Sequence, residues 1–177
     1  MLHDYQERCI EVNARGSYHI YEAAARAKVP RVVYISSMTA VFGLPRYETI
    51  DENARERPRD VYAACKIFGE HVGRTYAFPR SSDFALQVLC LRLGMPYPVF
   101  TGSDNAWQNN IGRRGAIVHI GDVAQAIRCA LTTEVHFGVY PIVSASDKTY
   151  IDPHLYTELG YRPEWKFSGE GLSRAEA

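Results

Sequence analysis

Apolar residues recur at two different spacings along the chain, and the alternation of these spacings predicts a series of helices and strands. Between Asp4 and Lys28 they return every three or four positions, as on one face of an amphipathic helix. The next run, Arg31 to Ser36, is short and β-branched, like strands that are buried on both faces of a parallel sheet. The pattern therefore begins with a long helix and a central strand.

The rest of the chain continues this alternation. In chain order we predict a helix capped by Asp60 that runs toward Tyr76, a strand from Phe84 to Leu93, a helix from Val123 to Leu131 capped by Asp122, a strand from Gly138 to Val143, and a short helix from about Asp152 to Leu159 that ends at Gly160. Residues 37–60 and 94–115 should form loops, the second bordering a ligand cavity. The tail after Pro163 is too polar to place. The alternation predicts an α/β fold with a mostly parallel sheet.

Composition narrows the classes of function. The 177 residues, 46% of them hydrophobic, suffice for one domain, and 20 basic residues balance 20 acidic ones. Neither nucleic acid nor an anionic membrane is therefore an expected partner, and no run approaches the roughly 18 apolar residues of a membrane span. The four cysteines show no Cys-x-x-Cys spacing and the six histidines no ligand spacing, so we expect no metal site and a reducing, cytoplasmic setting. A small molecule is the expected partner.

The candidate chemistry lies at Tyr62 and Lys66, which are one helical turn apart. A lysine ammonium close by would lower the tyrosine pKa from about 10 toward the working range, so that the phenol could act as a general base on an alcohol or as an acid on a carbonyl. The pair alone is a weak motif. It gains weight because it follows a strand that ends in serines, where ligands bind in open parallel sheets.

Those serines, Ser36 and Ser37, allow two interpretations. Hydroxyls at the end of a strand often satisfy local backbone groups. Alternatively, one of them bonds the substrate oxygen and holds it against the tyrosine.

Several segments, in order and correctly spaced, resemble one known family. They are Glu11-Val-Asn-Ala-Arg-Gly-Ser, Arg31-Val-Val-Tyr-Ile-Ser-Ser, Val41-Phe-Gly, Asp51-Glu52 with Pro58, the pair Tyr62 and Lys66 followed by Gly69-Glu70, Leu91-Arg-Leu-Gly, and Val118-His-Ile-Gly-Asp-Val-Ala-Gln-Ala. Over roughly residues 8 to 162 the chain resembles the NAD-dependent epimerase/dehydratase family of extended short-chain dehydrogenases/reductases. The resemblance implies a Rossmann-like, doubly wound parallel sheet and hydride exchange between NAD or NADP and a sugar or nucleotide-sugar hydroxyl.

The resemblance also implies the catalytic roles. Tyr62 corresponds to the catalytic base, and Lys66 to the residue that lowers its pKa. The catalytic Ser or Thr of the family aligns with Met38, which cannot donate a hydrogen bond. Either Ser37 or Thr39 could replace it if the loop shifts by one residue, and we favour Ser37.

Cofactor contacts follow from the same resemblance. Lys66 and Tyr62 would border the nicotinamide ribose, and Asn13, Ser36 and the backbone near Gly94 would line the cofactor. Asn13 has an equally good interpretation as a helix residue that bonds its own turn.

The 177 residues contain no Gly-x-x-Gly-x-x-Gly turn and no first strands to carry one. We therefore expect a partial Rossmann-like sheet, with residues 1–177 forming one partial NAD(P)-binding domain and about 94–177 its substrate side. The expected protein is the C-terminal portion of a longer enzyme, unable to hold NAD or NADP alone. Val32 to Ile35 would form an exposed sheet edge, and pairing of such edges could give a homodimer. The alternative is a non-catalytic remnant or interaction module of the same fold.

Overall fold

The computed structural model describes residues 2–44, 49–51, 54–81, 84–97, 116–147, 149–169 and 171–175. Most of the predicted 94–115 loop lies outside these residues. The elements, in chain order, are α1 (Leu2–Cys9), a π-helical segment (Ile10–Arg15), α2 (Gly16–Arg26), β1 (Arg31–Ser37), a 3₁₀ turn (Met38–Ala40), α3 (Val61–Ala77), β2 (Gln87–Leu93), β3 (Met95–Tyr97), β4 (Ile117–His119), α4 (Ile120–Thr132), β5 (Phe137–Ile142), β6 (Ala145–Ser146), a 3₁₀ helix (Pro153–Tyr156), β7 (Trp165–Ser168) and β8 (Gly171–Arg174).

The first predicted helix is continuous but changes its pitch in the middle. The π-helical segment separates α1 from α2, and the Gly16 N–H donates to the Glu11 carbonyl, five residues back. Such π turns occur often near functional sites. The helix ends near Lys28, whose φ of 53° turns the chain toward β1.

A parallel three-stranded sheet in the order β1-β2-β5 forms the centre of the molecule. Its side chains alternate between two apolar layers, as the pleat requires. Val88 and Cys90 pack with Tyr21 of α2 and Ala77 of α3, whereas the alternate β2 positions Leu89 and Leu91 pack against α4. Helices on both faces of a parallel sheet confirm the predicted α/β class.

Strand β1 forms one edge of this sheet, and β5 forms the other. Among the described residues β1 pairs only with β2, and Ile35 remains 38% exposed although its neighbour in register, Leu91, is 0% exposed. The predicted sheet edge at Val32 to Ile35 is therefore present, but only Ile35 is exposed, whereas Val32, Val33 and Tyr34 are half-buried.

The capping predictions had different outcomes. Asp60 caps α3 as expected, because its Oδ1 accepts from the Ala63 N–H at 2.7 Å. The prediction that Asp122 caps the next helix is wrong: α4 begins at Ile120, and His119 Nδ1 accepts from the Gly121 N–H at 3.1 Å. Asp122 is instead fully buried inside the first turn.

The C-terminal part also differs from the prediction. The helix expected from about 152 to 159 is a shorter 3₁₀ helix, although Gly160 has the left-handed φ of 76° that was predicted for its end. The polar tail folds as an antiparallel hairpin of β7 and β8, to which β6 adds in parallel. No helix in the described part of the chain is long and apolar enough to cross a membrane.

Candidate active site

A cavity of about 500 Å³ opens at the carboxyl ends of β1 and β2. This is the end of an open parallel sheet at which ligands bind. Its lining combines the predicted Ser36, Ser37, Tyr62 and Gly94 with Ile35, Met38, Thr39, Phe42, Leu93, Met95, Pro96 and Ala116. The fold thus brings four of the six predicted site residues to one cavity.

Ser37, rather than Met38, presents a hydroxyl to Tyr62. The Ser37 Oγ accepts from the Thr39 backbone N–H at 3.2 Å and from Thr39 Oγ1 at 2.9 Å. Ser37 and Tyr62 line the same cavity, and the interaction with Ser37 lowers the Tyr62 pKa. The Met38 side chain is almost fully buried in an apolar cluster with Val41. Ser37 and Thr39 both line the cavity, and Thr39 Oγ1 donates to Ser37 Oγ, so the choice of Ser37 stays a prediction.

The electrostatic surroundings of Tyr62 differ from those we expected. Burial of the half-exposed ring raises the Tyr62 pKa above its ordinary value of about 10, and the contact with Ser37 opposes this by lowering the pKa. The expectation that Lys66 lowers the Tyr62 pKa toward the working range is not met.

The position of Lys66 explains this result. Its Nζ donates to the Ile35 carbonyl oxygen at 3.0 Å and lies 5.5 Å from the centre of the Tyr62 ring, over the ring rather than at the hydroxyl. Burial also lowers the pKa of Lys66. The Lys66 ammonium therefore donates to a backbone carbonyl of the edge strand β1 and not to the phenol oxygen of Tyr62.

Asn13 lies on the other side of Lys66. Both residues line a second hollow of about 450 Å³ between α2 and the open edge of β1. The Asn13 backbone carbonyl accepts from the Ser17 hydroxyl within the helix. This bond does not involve the Asn13 side chain, so both interpretations of Asn13 stay open. Lys66 thus separates the cavity of Tyr62 from the hollow of Asn13.

Ser36 and Gly94 contribute to the cavity mainly through their backbones. The Ser36 hydroxyl donates to the buried carboxylate of Glu70 and so points away from the cavity. The Gly94 N–H donates to the Ile142 carbonyl at 2.9 Å, and a Cβ at Gly94 would lie 2.8 Å from the Ala116 carbonyl oxygen. Only glycine permits this close approach between the end of β2 and the start of β4.

A network of ion pairs lies behind the cavity, and its central pair, Glu70 and Arg92, is buried. Arg92 binds both oxygens of Glu70, with Nε–Oε1 and Nη2–Oε2 distances of 2.9 and 2.7 Å, and its Nη2 also contacts Glu56 Oε1 at 3.1 Å. Glu56 in turn contacts His71 Nε2 at 3.0 Å. Burial disfavours the charged guanidinium, but the bonds from Glu70 outweigh this and raise the Arg92 pKa. Both partners of the central pair lie in motifs that the sequence shows, Gly69-Glu70 and Leu91-Arg-Leu-Gly, but the motifs do not indicate that the two side chains pair.

A second buried carboxylate lies far from Tyr62 in the sequence and organises the C-terminal region. Asp122 accepts from the Ser144 hydroxyl and from the Glu164 N–H, the latter at 2.8 Å. Burial raises the Asp122 pKa, and the hydrogen bonds oppose that rise. His119 stacks on Trp165 with ring centres 3.9 Å apart. The described residues contain no group of three His, Cys, Asp or Glu side chains placed to hold a metal ion.

A parallel sheet with helices on both faces, and a Tyr, a Lys and a Ser at its carboxyl end, defines the class of Rossmann-like α/β proteins that bind a ligand at this edge. The family model described as "NAD dependent epimerase/dehydratase family" matches residues 3–113. The chain belongs to this family, whose members are NAD-dependent enzymes.

Known relatives agree with this assignment. A uronate dehydrogenase of Pseudomonas syringae pv. tomato is 28% identical over 159 residues, which cover 89% of this chain and 54% of the relative. An L-arabinose 1-dehydrogenase (NAD(P)(+)) of Haloferax volcanii is 29% identical over 171 residues, with coverages of 86% and 66%. The solved structure of uronate dehydrogenase from Agrobacterium tumefaciens has a TM-score of 0.71 at 25% identity, with coverages of 88% and 53%. The chain spans between about half and two thirds of the length of these relatives.

The described residues include polar groups that would hold one half of a nicotinamide cofactor. Tyr62 and Gly94 line the cavity at the carboxyl ends of β1 and β2, and Lys66 lines the neighbouring hollow, where its ammonium donates to the Ile35 carbonyl. The 177 residues contain no glycine-rich turn of the kind that holds a pyrophosphate. These residues would therefore hold the nicotinamide-ribose half, where the cofactor would supply hydride transfer.

Proposed function

We propose that this chain carries the catalytic, substrate-side half of an NAD(P)-dependent enzyme that oxidises a sugar hydroxyl. The observation that carries the proposal is the meeting of Ser37, Tyr62 and Lys66 at the carboxyl end of the open strand β1. Two similar proteins act as a uronate dehydrogenase and an L-arabinose 1-dehydrogenase. A free sugar or sugar acid is accordingly the favoured substrate, and a nucleotide sugar the second choice.

Each residue has a role that follows from its position. In its deprotonated form Tyr62 takes the proton of the sugar hydroxyl during oxidation, and its phenol returns that proton in the reverse direction. Ser37 holds the same oxygen, because it lines the same cavity and interacts with the phenol. The bound cofactor would supply the acceptor for the hydride of the sugar carbon, and Tyr62 would take the hydroxyl proton, so that a carbonyl compound, reduced cofactor and one proton would result.

Lys66 is assigned to the nicotinamide ribose. Its ammonium lies between the cavity and the hollow of Asn13, where a ribose hydroxyl could replace the Ile35 carbonyl as its partner. Asn13, Ser36 and Gly94 complete the proposed cofactor contacts, the last two through their backbones.

The test uses half of the cofactor as its probe. Saturation-transfer NMR on the whole chain should detect binding of nicotinamide mononucleotide but not of adenosine monophosphate, because only the nicotinamide-ribose half has a site. Tyr62→Phe and Lys66→Met should weaken the signal. Tyr76→Phe is the matched control, since Tyr76 lies on the same helix but bonds Glu22. Equal signals from all four proteins, or none from the wild type, would contradict the proposal.

A second candidate function is a non-catalytic interaction module. The open edge of β1 favours it, because unpaired strand edges recruit further strands. Binding of the mononucleotide that depends on Tyr62 would decide for the catalytic half.

A further inference from the structure

We propose that the buried Glu70–Arg92 ion pair is the positioning device of the candidate active site: it fixes α3 against the ends of β1 and β2, and thereby sets where Tyr62 lies relative to Ser37. This inference deepens the proposed function and rests on it for its catalytic meaning. Neither residue touches the cavity, so both are positioning residues rather than catalytic ones.

Three residues of α3 face the end of strand β1. Tyr62, Lys66 and Glu70 follow one another at intervals of four and therefore share one face of the helix. Each contacts the end of β1: Tyr62 reaches Ser37, Lys66 bonds the Ile35 carbonyl, and Glu70 accepts from Ser36.

These three contacts differ in how firmly they can hold the helix. Tyr62 and Lys66 are half-buried and end at the cavity, whereas Glu70 is 1% exposed. A contact shielded from water is the most restrictive of the three, because its partners cannot exchange for solvent.

Arg92 links α3 to strand β2. Arg92 binds both oxygens of Glu70 in a two-pronged arrangement that fixes direction as well as distance. Leu93 and Gly94, which follow Arg92 directly, line the cavity. One carboxylate therefore joins α3 to the two strand ends that form the cavity.

The segment before α3 also contacts the ion pair. Glu56 shares the Arg92 guanidinium, and the neighbouring Arg57 backbone bonds the Ala40 carbonyl at 2.8 Å and the Gly43 N–H at 3.0 Å. Through Glu56 the ion pair also holds the turn that follows Ser37.

Energetics favour a positional role over a purely stabilising one. Removing two charges from water is so unfavourable that well-packed apolar residues of similar volume often replace a buried ion pair with no loss of stability. Apolar side chains cannot bond the Ser36 hydroxyl or fix a direction. Replacement of the whole pair should therefore separate stability from position.

The test follows the Tyr62 resonance of the whole chain labelled with ¹³Cζ-tyrosine, assigned by its loss in Tyr62→Phe. In the double variant Glu70→Leu/Arg92→Leu we expect a cooperative thermal transition, a displaced Tyr62 resonance and a titration midpoint at higher pH, since the contact with Ser37 is lost. Glu70→Gln keeps one acceptor oxygen, which Ser36 and Arg92 Nε share in the wild type, but loses the second contact with Arg92 Nη2. Its Tyr62 resonance should therefore lie between those of the wild type and the double variant.

The matched control is Asp122→Asn, which alters the other buried carboxylate, one that does not line the cavity. It should change stability and leave the Tyr62 resonance in place. A folded double variant in which Tyr62 titrates as in the wild type would overturn the positioning role. Because this readout needs neither cofactor nor substrate, its failure is distinct from failure of the mononucleotide to bind.

Discussion

The two sides of the central sheet differ sharply in how completely they are packed. On the β5 side Leu91, Ile142 and Tyr161 are almost fully buried, and the Tyr161 hydroxyl donates to the Val143 carbonyl at 2.7 Å. On the β1 side Val12 and Ile20 remain 69% and 63% exposed beside a strand edge with no described partner. Both β1 and β5 are edge strands of the sheet, but the β5 edge is covered by packed side chains and is called here the closed side. The candidate active site lies at the less covered β1 edge, the open side.

This difference also explains the behaviour of Lys66. At an open edge the Ile35 carbonyl needs a donor, and the nearby ammonium supplies it. A further strand beside β1, or a bound ribose, would offer Lys66 a different partner. The chemistry of the site is therefore tied to what covers this edge.

The largest expected effect is a difference in stability loss between Leu91 in the packed core and Ile35, its neighbour in register on β1. Leu91→Ala should lower the free energy of unfolding by about 2–5 kcal/mol, because it leaves a cavity in the closed core. Ile35→Ala, on the exposed strand beside it, should lower it by about 1 kcal/mol or less. Urea unfolding of both variants measures the contrast, and equal losses would show that the open side is packed as tightly as the closed one.

A smaller effect is the pH dependence that the buried Asp122 gives to stability. Because burial raises the Asp122 pKa in the folded state, the contribution of this group is fully present below its unfolded value and is lost as pH rises through the folded value. The stability of the wild type relative to Asp122→Asn should therefore fall as pH rises over that window. Thermal unfolding at a series of pH values measures it, and a relative stability that increases with pH would refute the assignment.

Local patterns predicted the parts of the fold that local chemistry decides. The β-branched run of β1 and the capping carboxylate of Asp60 were both found as expected. The cap predicted at Asp122 failed because Ser144 and Glu164, distant in sequence, draw that side chain inward. No local pattern indicates such contacts.

In the candidate site, too, local motifs indicated some features, whereas contacts between distant residues were not predicted. Tyr62, Lys66, Ser37 and Gly94 could be chosen from motifs, because their spacing places them at strand and helix ends. The Lys66 contact with Ile35 and the Glu70–Arg92 pair depend on how α3 lies against the sheet. Spacing along the chain does not encode that arrangement.

The smallest change tests the central claim most directly, namely that Ser37 and Tyr62 act as one site at the open end of β1. Ser37→Ala removes the contact that lowers the Tyr62 pKa while the burial that raises it remains. Met38→Leu is the matched control, since it conserves volume at the neighbouring buried position. Titration of the ¹³Cζ resonance of Tyr62 should give a higher midpoint in Ser37→Ala than in the wild type and in Met38→Leu. A midpoint that Ser37→Ala leaves unchanged, or that Met38→Leu alone displaces, would contradict the account.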